Sequence, residues 1–262
     1  MKEAFVVLDA IPTTRGFIDD VVDIVDDVAD AADDINDGIN DIEDDIEDIG
    51  DTFDDDDDDD DGNGGNGGNG NNKLKGTKGD DEIEGNNKNN NLKGLQGDDE
   101  IDGRNGNDSL FGGKGDDALT GNNGNDRLVG EAGKDVLAGD DGNDRLEGNG
   151  GDDALFGGNG NDSLDGGDGK DILFGGKKGN DTLTGAGGKD IFATKRQSGL
   201  DTVVDYLDGS DRIGLAKGLQ FNQLDFTQQS GGVLISAGSD QLLLVNNALV
   251  SQFKKNDFVN EK

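Results

Sequence analysis

The chain has 262 residues, of which 60 are acidic and 23 are basic, so its formal net charge at pH 7 is −37. It contains no histidine and no cysteine, which excludes imidazole catalysis, disulfides, thiolate nucleophiles and zinc sites built on those residues. The charge opposes binding to nucleic acid and to anionic membranes, it favours divalent cations as partners, and no apolar run is long enough for a transmembrane segment.

Residues 1–53 combine acidic side chains with a regular apolar pattern. The stretch 19–61 holds 24 acidic residues and not one basic residue. Apolar residues recur at alternating steps of three and four from Ile18 to Phe53, which is the spacing of a heptad seam. This pattern predicts an acidic amphipathic helical segment. Its glycines and its repelling carboxylates oppose that structure, so a self-associating coiled coil and full disorder stay open as alternatives.

Residues 54–66 are predicted to be a linker. They begin with eight consecutive aspartates, Asp54–Asp61, and continue in glycine and asparagine. A run of like charges followed by glycine-rich sequence is typical of a solvated, flexible connection.

From residue 67 onward the sequence repeats with a period of nine. One repeat, residues 112–120, reads GGKGDDALT, and fourteen such registers fill residues 67–193 with a single one-residue insertion at Lys177-Lys178. Position one is always glycine and position four is glycine in thirteen registers. Position six is aspartate in twelve registers, and position eight is always apolar. A glycine-rich composition does not hold four positions in register over this length by chance.

The nonapeptide predicts a mainly β protein. Six residues rich in glycine form a turn, and three residues form a short strand whose central side chain points inward. Two nonapeptides make one coil, so we expect a parallel β-solenoid of about seven coils stacked about 4.8 Å apart. A core one residue deep does not offset the entropy of ordering so much glycine, and the aspartates would repel each other, so a bound cation is needed. Oxygen ligands alone favour Ca²⁺ over Mg²⁺.

This pattern resembles the RTX (repeats-in-toxin) haemolysin-type calcium-binding nonapeptide, and residues 67–193 are similar to the C-terminal β-roll of serralysin-type proteins without their protease domain. The resemblance implies a right-handed parallel β-roll in which Ca²⁺ lies between neighbouring turns, held by aspartate carboxylates and backbone carbonyls. The implied side-chain ligands are the twelve position-six aspartates: Asp81, Asp99, Asp108, Asp117, Asp126, Asp135, Asp144, Asp153, Asp162, Asp171, Asp181 and Asp190.

Successive turns alternate between the two sides of the roll, so position six forms two rows. Asn72 and Asn90 replace aspartate at the beginning of the second row. The Lys177-Lys178 insertion is expected to disturb the gap between Asp162 and Asp181. Six gaps in the first row and three in the second then remain, which predicts about nine Ca²⁺ ions.

Residues 194–262 are similar to the C-terminal β cap and secretion region of the same family. The stretch Asp201–Tyr206 resembles the segment that closes serralysin-type rolls, and Asn256–Val259 resembles the end of proteins exported by type I systems. The first sixteen residues lack the apolar core of a cleaved signal peptide. We therefore expect a bacterial extracellular protein exported by a type I exporter through an uncleaved C-terminal signal.

Positions seven and nine flank the inward residue and point outward. On one face they are acidic at first and become apolar from Ala118 onward, as at Val136, Phe156 and Phe174. Such a stripe is expected to be covered. We expect the C-terminal strands 233–235 and 242–245 to cover it, with the N-terminal segment or a second copy as alternatives.

The sequence therefore predicts a secreted, non-enzymatic protein that folds on binding Ca²⁺ outside the cell. A Ca²⁺-dependent adhesive or self-assembling surface protein is the alternative, associating through the heptad segment or the apolar roll face. A hydrolase that uses paired carboxylates is disfavoured, because no acidic pair stands apart from the repeat.

Overall fold

The structure, a computed structural model, describes residues 73–260. The amphipathic segment 1–53, the linker 54–66 and the repeat positions up to Asn72 lie outside the described residues. Within this range the chain forms twenty β-strands and no α-helix, and none of its helical turns is long and apolar enough to cross a membrane. Single turns of 3-10 helix are found at Phe221–Gln223, Val250–Gln252 and Lys255–Asp257.

Two sheets contain all of these strands. In spatial order the larger sheet comprises β1 (Lys73–Lys75), β3 (Asn91–Gln96), β5 (Ser109–Lys114), β7 (Arg127–Ala132), β9 (Arg145–Gly150), β11 (Ser163–Gly169), β13 (Thr182–Gly188), β15 (Asp201–Val203), β19 (Asp240–Asn246), β18 (Gly232–Ala237) and β17 (Asp225–Gln228). The smaller sheet comprises β2 (Glu82–Glu84), β4 (Glu100–Asp102), β6 (Ala118–Thr120), β8 (Val136–Ala138), β10 (Ala154–Asn159), β12 (Ile172–Lys178), β14 (Ile191–Thr194), β16 (Arg212–Leu215) and β20 (Phe258–Asn260).

Each strand of the roll pairs in parallel with the strand two places later in the chain. Leu110 on β5 lies beside Leu128 on β7, and Leu119 on β6 lies beside Leu137 on β8, an offset of two nonapeptides. The chain thus alternates between the sheets and completes one coil every two repeats. The parallel β-roll predicted from the nonapeptide period is confirmed.

Position eight of the repeat forms the core of the roll. Along both sheets its side chains point inward and are at most 1% exposed from Ile83 to Phe192. Val203 and Ile213 continue the two columns into the C-terminal segment, where both side chains are fully buried. One apolar residue per strand therefore builds the interior, as the sequence predicts.

Position four of the repeat needs glycine because neighbouring coils stack directly on each other. Gly97 has a φ of 110°, in the region that glycine favours. A Cβ at this residue would lie 2.5 Å from the carbonyl oxygen of Gly79 in the preceding coil, a separation that real Cβ atoms do not adopt. Any side chain here would push two coils apart.

The strands of the larger sheet are longer than the three residues expected. Those from β3 to β9 have six residues each, because pairing between coils continues through positions one to three of the next repeat. The inserted residue at Lys177-Lys178 is absorbed in the smaller sheet, at the end of β12. The pairing of β10 with β12 shifts register between Gly158 and Asn159, which places Asn159 beside Lys178.

The C-terminal segment caps the roll by extending the larger sheet. β19 pairs in parallel with β15, and β18 and β17 follow in antiparallel order. The same segment contains a cluster of packed aromatic rings, Tyr206, Phe221, Phe226, Phe253 and Phe258. The expected β cap is present, but the expectation that strands 233–235 and 242–245 cover the apolar stripe is wrong, since the stripe lies on the smaller sheet.

Some side chains of the apolar stripe lie beside one another and partly cover each other. Phe156 pairs with Phe174 across β10 and β12, and Val136 lies beside Ala154. Phe174 is buried, with the Lys195 ammonium 5.0 Å from its ring centre, while Val136 and Phe156 stay half-exposed.

Candidate metal sites

The predicted ligands lie in two straight rows, one along each edge of the roll. Each aspartate ends a turn and directly precedes a strand, so the stacking of the coils also stacks the carboxylates. Asp81, at the N-terminal end of the first row, is half-buried. The other eleven predicted ligands are at most 3% exposed: Asp99, Asp108, Asp117, Asp126, Asp135, Asp144, Asp153, Asp162, Asp171, Asp181 and Asp190.

One oxygen of each carboxylate, Oδ1, joins two neighbouring coils. The backbone N–H of Asp99 donates to Oδ1 of Asp117 at 2.9 Å, and that of Asp117 donates to Oδ1 of Asp135 at the same distance. In the second row the N–H of Asp126 donates to Oδ1 of Asp144 at 2.7 Å. Each row is therefore a continuous ladder of hydrogen bonds between aspartates of successive coils.

The other oxygen, Oδ2, is buried without a hydrogen-bond partner in ten of the predicted ligands: Asp99, Asp108, Asp117, Asp126, Asp135, Asp144, Asp153, Asp162, Asp171 and Asp181. Buried polar atoms in native proteins are almost always paired, and a buried charge without a partner is costly. None of the ladder aspartates takes part in the ion pairs seen between described residues, such as that of Arg104 with Glu84. Two rows of carboxylate oxygens are thus left open to a cation or a proton.

Position one of the repeat borders an oxygen-lined space beside each Oδ2. A Cβ on Gly139 would lie 2.5 Å from Oδ2 of Asp144 and 2.7 Å from the carbonyl oxygen of Gly157 in the next coil. Gly121 has the same surroundings, with distances of 2.5 Å and 2.9 Å to Asp126 Oδ2 and the Gly139 carbonyl. A carboxylate oxygen of one coil and a carbonyl oxygen of the next therefore face the same space.

These carboxylate and carbonyl oxygens suit Ca²⁺ as ligands. Ca²⁺ binds six to eight hard oxygen atoms in flexible geometry. Between residues 73 and 260 no three acidic side chains gather into a group that could hold a metal. A cation in either row would accordingly take much of its coordination from backbone carbonyls.

Burial raises the pKa of the ladder carboxyls far above the ordinary value of 3.8, because desolvation disfavours their charged form. The pKa rises to about 8 at Asp135, Asp144 and Asp181. It rises to about 7 at Asp117, Asp126, Asp171 and Asp190 and to about 6 at Asp99, Asp153 and Asp162. Neighbouring aspartates add to the rise, whereas the hydrogen bonds to Oδ1 oppose it. A ladder without cations therefore holds protons near neutral pH.

The N-terminal ends of the rows are closed by the protein itself. The N–H of Thr77 donates to Oδ2 of Asp81 at 2.6 Å. In the second row the Asn90 amide donates to the carbonyl oxygen of Asn86 and to Oδ1 of Asp108, both at 3.0 Å. The Asn90 amide group thus supplies hydrogen-bond donors where the aspartate turns leave an oxygen without a partner.

The Lys177-Lys178 insertion does not interrupt the second row. The N–H of Asp162 donates to Oδ1 of Asp181 at 2.8 Å, as in undisturbed gaps. The expectation of a disturbed gap between Asp162 and Asp181 is wrong, because the sheet absorbs the extra residue where Asn159 pairs with Lys178, before the turn reaches its aspartate.

Both rows also continue past the last repeat, through two aspartates that the repeat pattern missed. The N–H of Asp181 donates to Oδ1 of Asp201 at 3.1 Å, and the N–H of Asp190 donates to Oδ1 of Asp211 at 3.2 Å. Their spacings of 20 and 21 residues break the period. An aspartate followed two residues later by an inward apolar residue, as in Asp201–Val203 and Asp211–Ile213, is the local pattern that could have identified them.

The match to a protein-family model agrees with this geometry. The family model of the RTX calcium-binding nonapeptide repeat (four copies) matches residues 66–87, 84–119, 120–155, 147–177 and 176–196. A search of curated proteins gave no match. Among solved structures, the chain is similar to the extracellular lipase LipA from Serratia marcescens, with 19% identity and a TM-score of 0.32 over 70% of this chain and 39% of the lipase chain. The repeat matches extend over half of the chain, which therefore belongs to the family of RTX calcium-binding nonapeptide repeat proteins.

Proposed function

We propose that this protein is a secreted, non-catalytic calcium-binding protein whose roll folds when Ca²⁺ binds between its turns. The observation that carries this proposal is the row of buried Oδ2 atoms without hydrogen-bond partners on each edge of the roll. A chain that buries so many unpaired carboxylate oxygens needs positive charge among them, and Ca²⁺ is the cation that suits oxygen ligands in flexible geometry.

The charge of the repeats supports folding on Ca²⁺. Residues 67–193 contain 26 acidic and 14 basic residues. Six divalent ions would neutralise this excess of twelve charges, which is fewer ions than there are gaps between neighbouring aspartates in the two rows. Because the unfolded chain lacks the stacked turns, Ca²⁺ binds the folded state in preference and stabilises it by mass action. Sites with few carboxylates are expected to bind with dissociation constants of about 10⁻⁴ to 10⁻³ M, as in extracellular calcium modules.

These affinities suit a protein that is made in one compartment and works in another. In a cytosol poor in Ca²⁺ the repeats would stay largely unfolded, a state that a type I exporter can thread. At the millimolar Ca²⁺ outside the cell the roll would fold. The family relationship supports the secreted role, and the export route belongs to the proposal.

Circular dichroism during a Ca²⁺ titration tests this function. We expect little strand structure in chelator and a cooperative gain of strand structure as Ca²⁺ reaches the millimolar range. Mg²⁺, and NaCl at matched ionic strength, should produce much less, because Mg²⁺ demands stricter octahedral geometry and Na⁺ carries half the charge. Equal strand structure in chelator and in Ca²⁺ would show that the proposal is wrong.

One observation favours the alternative of Ca²⁺-dependent self-assembly. The smaller sheet carries a stripe in which Val136, Phe156 and Ile172 stay half-exposed. Apolar side chains in a row are typical of contact surfaces. Sedimentation velocity with and without Ca²⁺ separates the two functions, since assembly through a folded stripe requires Ca²⁺, whereas a soluble calcium-binding protein stays monomeric in both conditions.

A further inference from the structure

We propose that a further Ca²⁺ site lies between Asp181 and Asp201, at the joint between the roll and its cap. This inference rests on the proposed function, because it takes Ca²⁺ as the ion that the ladders bind. Matches to the repeat end at residue 196, and the turn that carries Asp201 reads Arg196-Gln197-Ser198-Gly199-Leu200-Asp201, without the paired glycines of the nonapeptide.

The turn at residues 196–201 adopts the backbone of a repeat without its sequence. Gln197 has a φ of 64° and Gly199 a φ of 118°, as positions two and four of the repeats do. The N–H of Leu200 donates to the side chain of Asn180 in the coil below at 2.9 Å, and the N–H of Thr202 donates to the carbonyl of Asp181 at 2.7 Å. Asp201 therefore occupies position six of a coil that the sequence period does not reveal.

The surroundings of Asp201 lack a positive charge. Its side chain is 0% exposed, and its Oδ2 has no hydrogen-bond partner. In the row it follows Asp181, which is 1% exposed, whose backbone N–H donates to Oδ1 of Asp201 at 3.1 Å and whose own Oδ2 has no hydrogen-bond partner. The basic residue of the same turn, Arg196, bonds instead to the Ala237 carbonyl at 3.1 Å and to Asp240 at 3.3 Å.

Two neighbouring carboxylates that are both charged and shielded from water repel each other, and a divalent cation between them removes that repulsion. Asp201 is the most deeply buried of the described ladder aspartates. The site would also have a structural role. Asp201 begins β15, which lies between β13 of the roll and β19 of the cap, so an ion held here would fasten the cap to the last coil.

The test is the number of Ca²⁺ ions bound per chain by Asp201→Asn, measured by equilibrium dialysis at saturating Ca²⁺. Asp201 is the last aspartate of its row, so we expect the variant to bind one ion fewer than the wild type. Asp208→Asn is the matched control, because it removes the same charge from an exposed residue seven positions away and should bind the wild-type number. Asparagine is compatible with this position of a turn, as Asn90 shows.

The outcomes separate the two proposals. A wild-type chain that binds no Ca²⁺ overturns the proposed function and this site together, whereas an Asp201→Asn variant that binds as many ions as the wild type overturns the site alone. If the variant does not fold, hydrogen exchange of the wild type decides. Ca²⁺ should then slow exchange of the backbone amides of residues 198–203, and exchange there that ignores Ca²⁺ while the repeats respond would overturn the site.

Discussion

A ladder aspartate uses its two oxygens for two different tasks. Oδ1 accepts a backbone N–H from the preceding coil and fixes the stacking, and Oδ2 stays unpaired in a space shared with a carbonyl of the next coil. Asn90 shows what the same position does with an amide, since its N–H groups bond to the Asn86 carbonyl and to Asp108 Oδ1. Asparagine thus keeps one side-chain oxygen at this position and replaces the unpaired oxygen by N–H donors, so an Asp→Asn variant removes a candidate metal ligand with little change in shape.

Asp117→Asn should impair Ca²⁺ binding far more than Asp116→Asn. Each aspartate accepts one backbone N–H from a neighbouring coil, at 2.9 Å from Asp99 and at 2.7 Å from Lys134, and each substitution removes one charge. Asp117 has a buried, unpaired Oδ2, whereas Asp116 is half-exposed. We expect the Ca²⁺ concentration at half-folding to rise for Asp117→Asn, because the folded state loses about 1 kcal/mol of ion binding.

The control variant should leave the midpoint unchanged, since surface charges contribute little. Circular dichroism in a Ca²⁺ titration gives both midpoints. Equal midpoints for the two variants would contradict the assignment of Oδ2 as a ligand.

Acid should stabilise the metal-free roll. Burial raises the folded-state pKa of Asp135 and Asp144 to about 8, against 3.8 for an ordinary aspartate. Between these values the folded state holds more protons than the unfolded chain, so the free energy of unfolding falls as the pH rises. In metal-free buffer we expect more strand structure at pH 5 than at pH 8, whereas in saturating Ca²⁺ the strand structure should hardly change. Strand structure that increases with pH in the absence of metal would contradict this sign.

At the scale of elements, each short strand contributes one inward side chain to the core. Leu164→Ala removes a side chain that is 1% exposed, which usually costs about 2–5 kcal/mol. A core one residue deep cannot repack around such a cavity, so we expect this variant to need about 1.5- to 2.5-fold more Ca²⁺ to fold, since about nine or more ions share the cost. Ser163→Ala, at an exposed residue of the same strand, is the control and should leave the midpoint unchanged. A midpoint for Leu164→Ala close to that of the control would show that the roll is held by its ions alone.

Deleting Lys177 should be nearly neutral. The extra residue is absorbed where Asn159 pairs with Lys178, and the hydrogen bond from Asp162 to Asp181 is intact at 2.8 Å. The variant should therefore bind the wild-type number of ions, as counted by equilibrium dialysis. A loss of one ion would mean that the insertion shapes the neighbouring site. A gain of one ion would mean that the insertion interrupts the second row, as the sequence alone predicts.

The sequence period predicted the roll, its inward column and the rows of aspartates, because each follows from a spacing of nine. It did not predict Asp201 and Asp211, whose longer loops hide the same geometry behind spacings of 20 and 21 residues. It also misplaced the cap strands. The apolar stripe offers only side-chain contacts, whereas the edge of β15 offers unpaired backbone N–H and carbonyl groups, and pairing with β19 satisfies them.

At the scale of the whole molecule, the roll is a stack in which each coil contacts mainly the coils above and below it. Deleting residues 121–138 removes one strand from each sheet and brings Asp144 over Asp108 and Asp153 over Asp117. We expect this shortened chain to fold in Ca²⁺ and to bind two ions fewer than the wild type. Failure to fold in saturating Ca²⁺ would show that the coils are not interchangeable.

Because the chain alternates between two sheets, an insertion or deletion acts differently when it contains an even or an odd number of nonapeptides. Removing 18 residues leaves the remaining coils in phase, whereas removing nine rotates everything that follows by half a turn. The aspartate rows would tolerate that rotation, because both edges carry aspartate at position six. The outer faces would not tolerate it. Val136, Phe156 and Phe174 would move to the sheet of Phe111, away from the sheet that begins with the acidic strands at Glu82 and Glu100. Lengthening or shortening such a protein by whole coils preserves its surface, and an odd number of nonapeptides exchanges one face for the other.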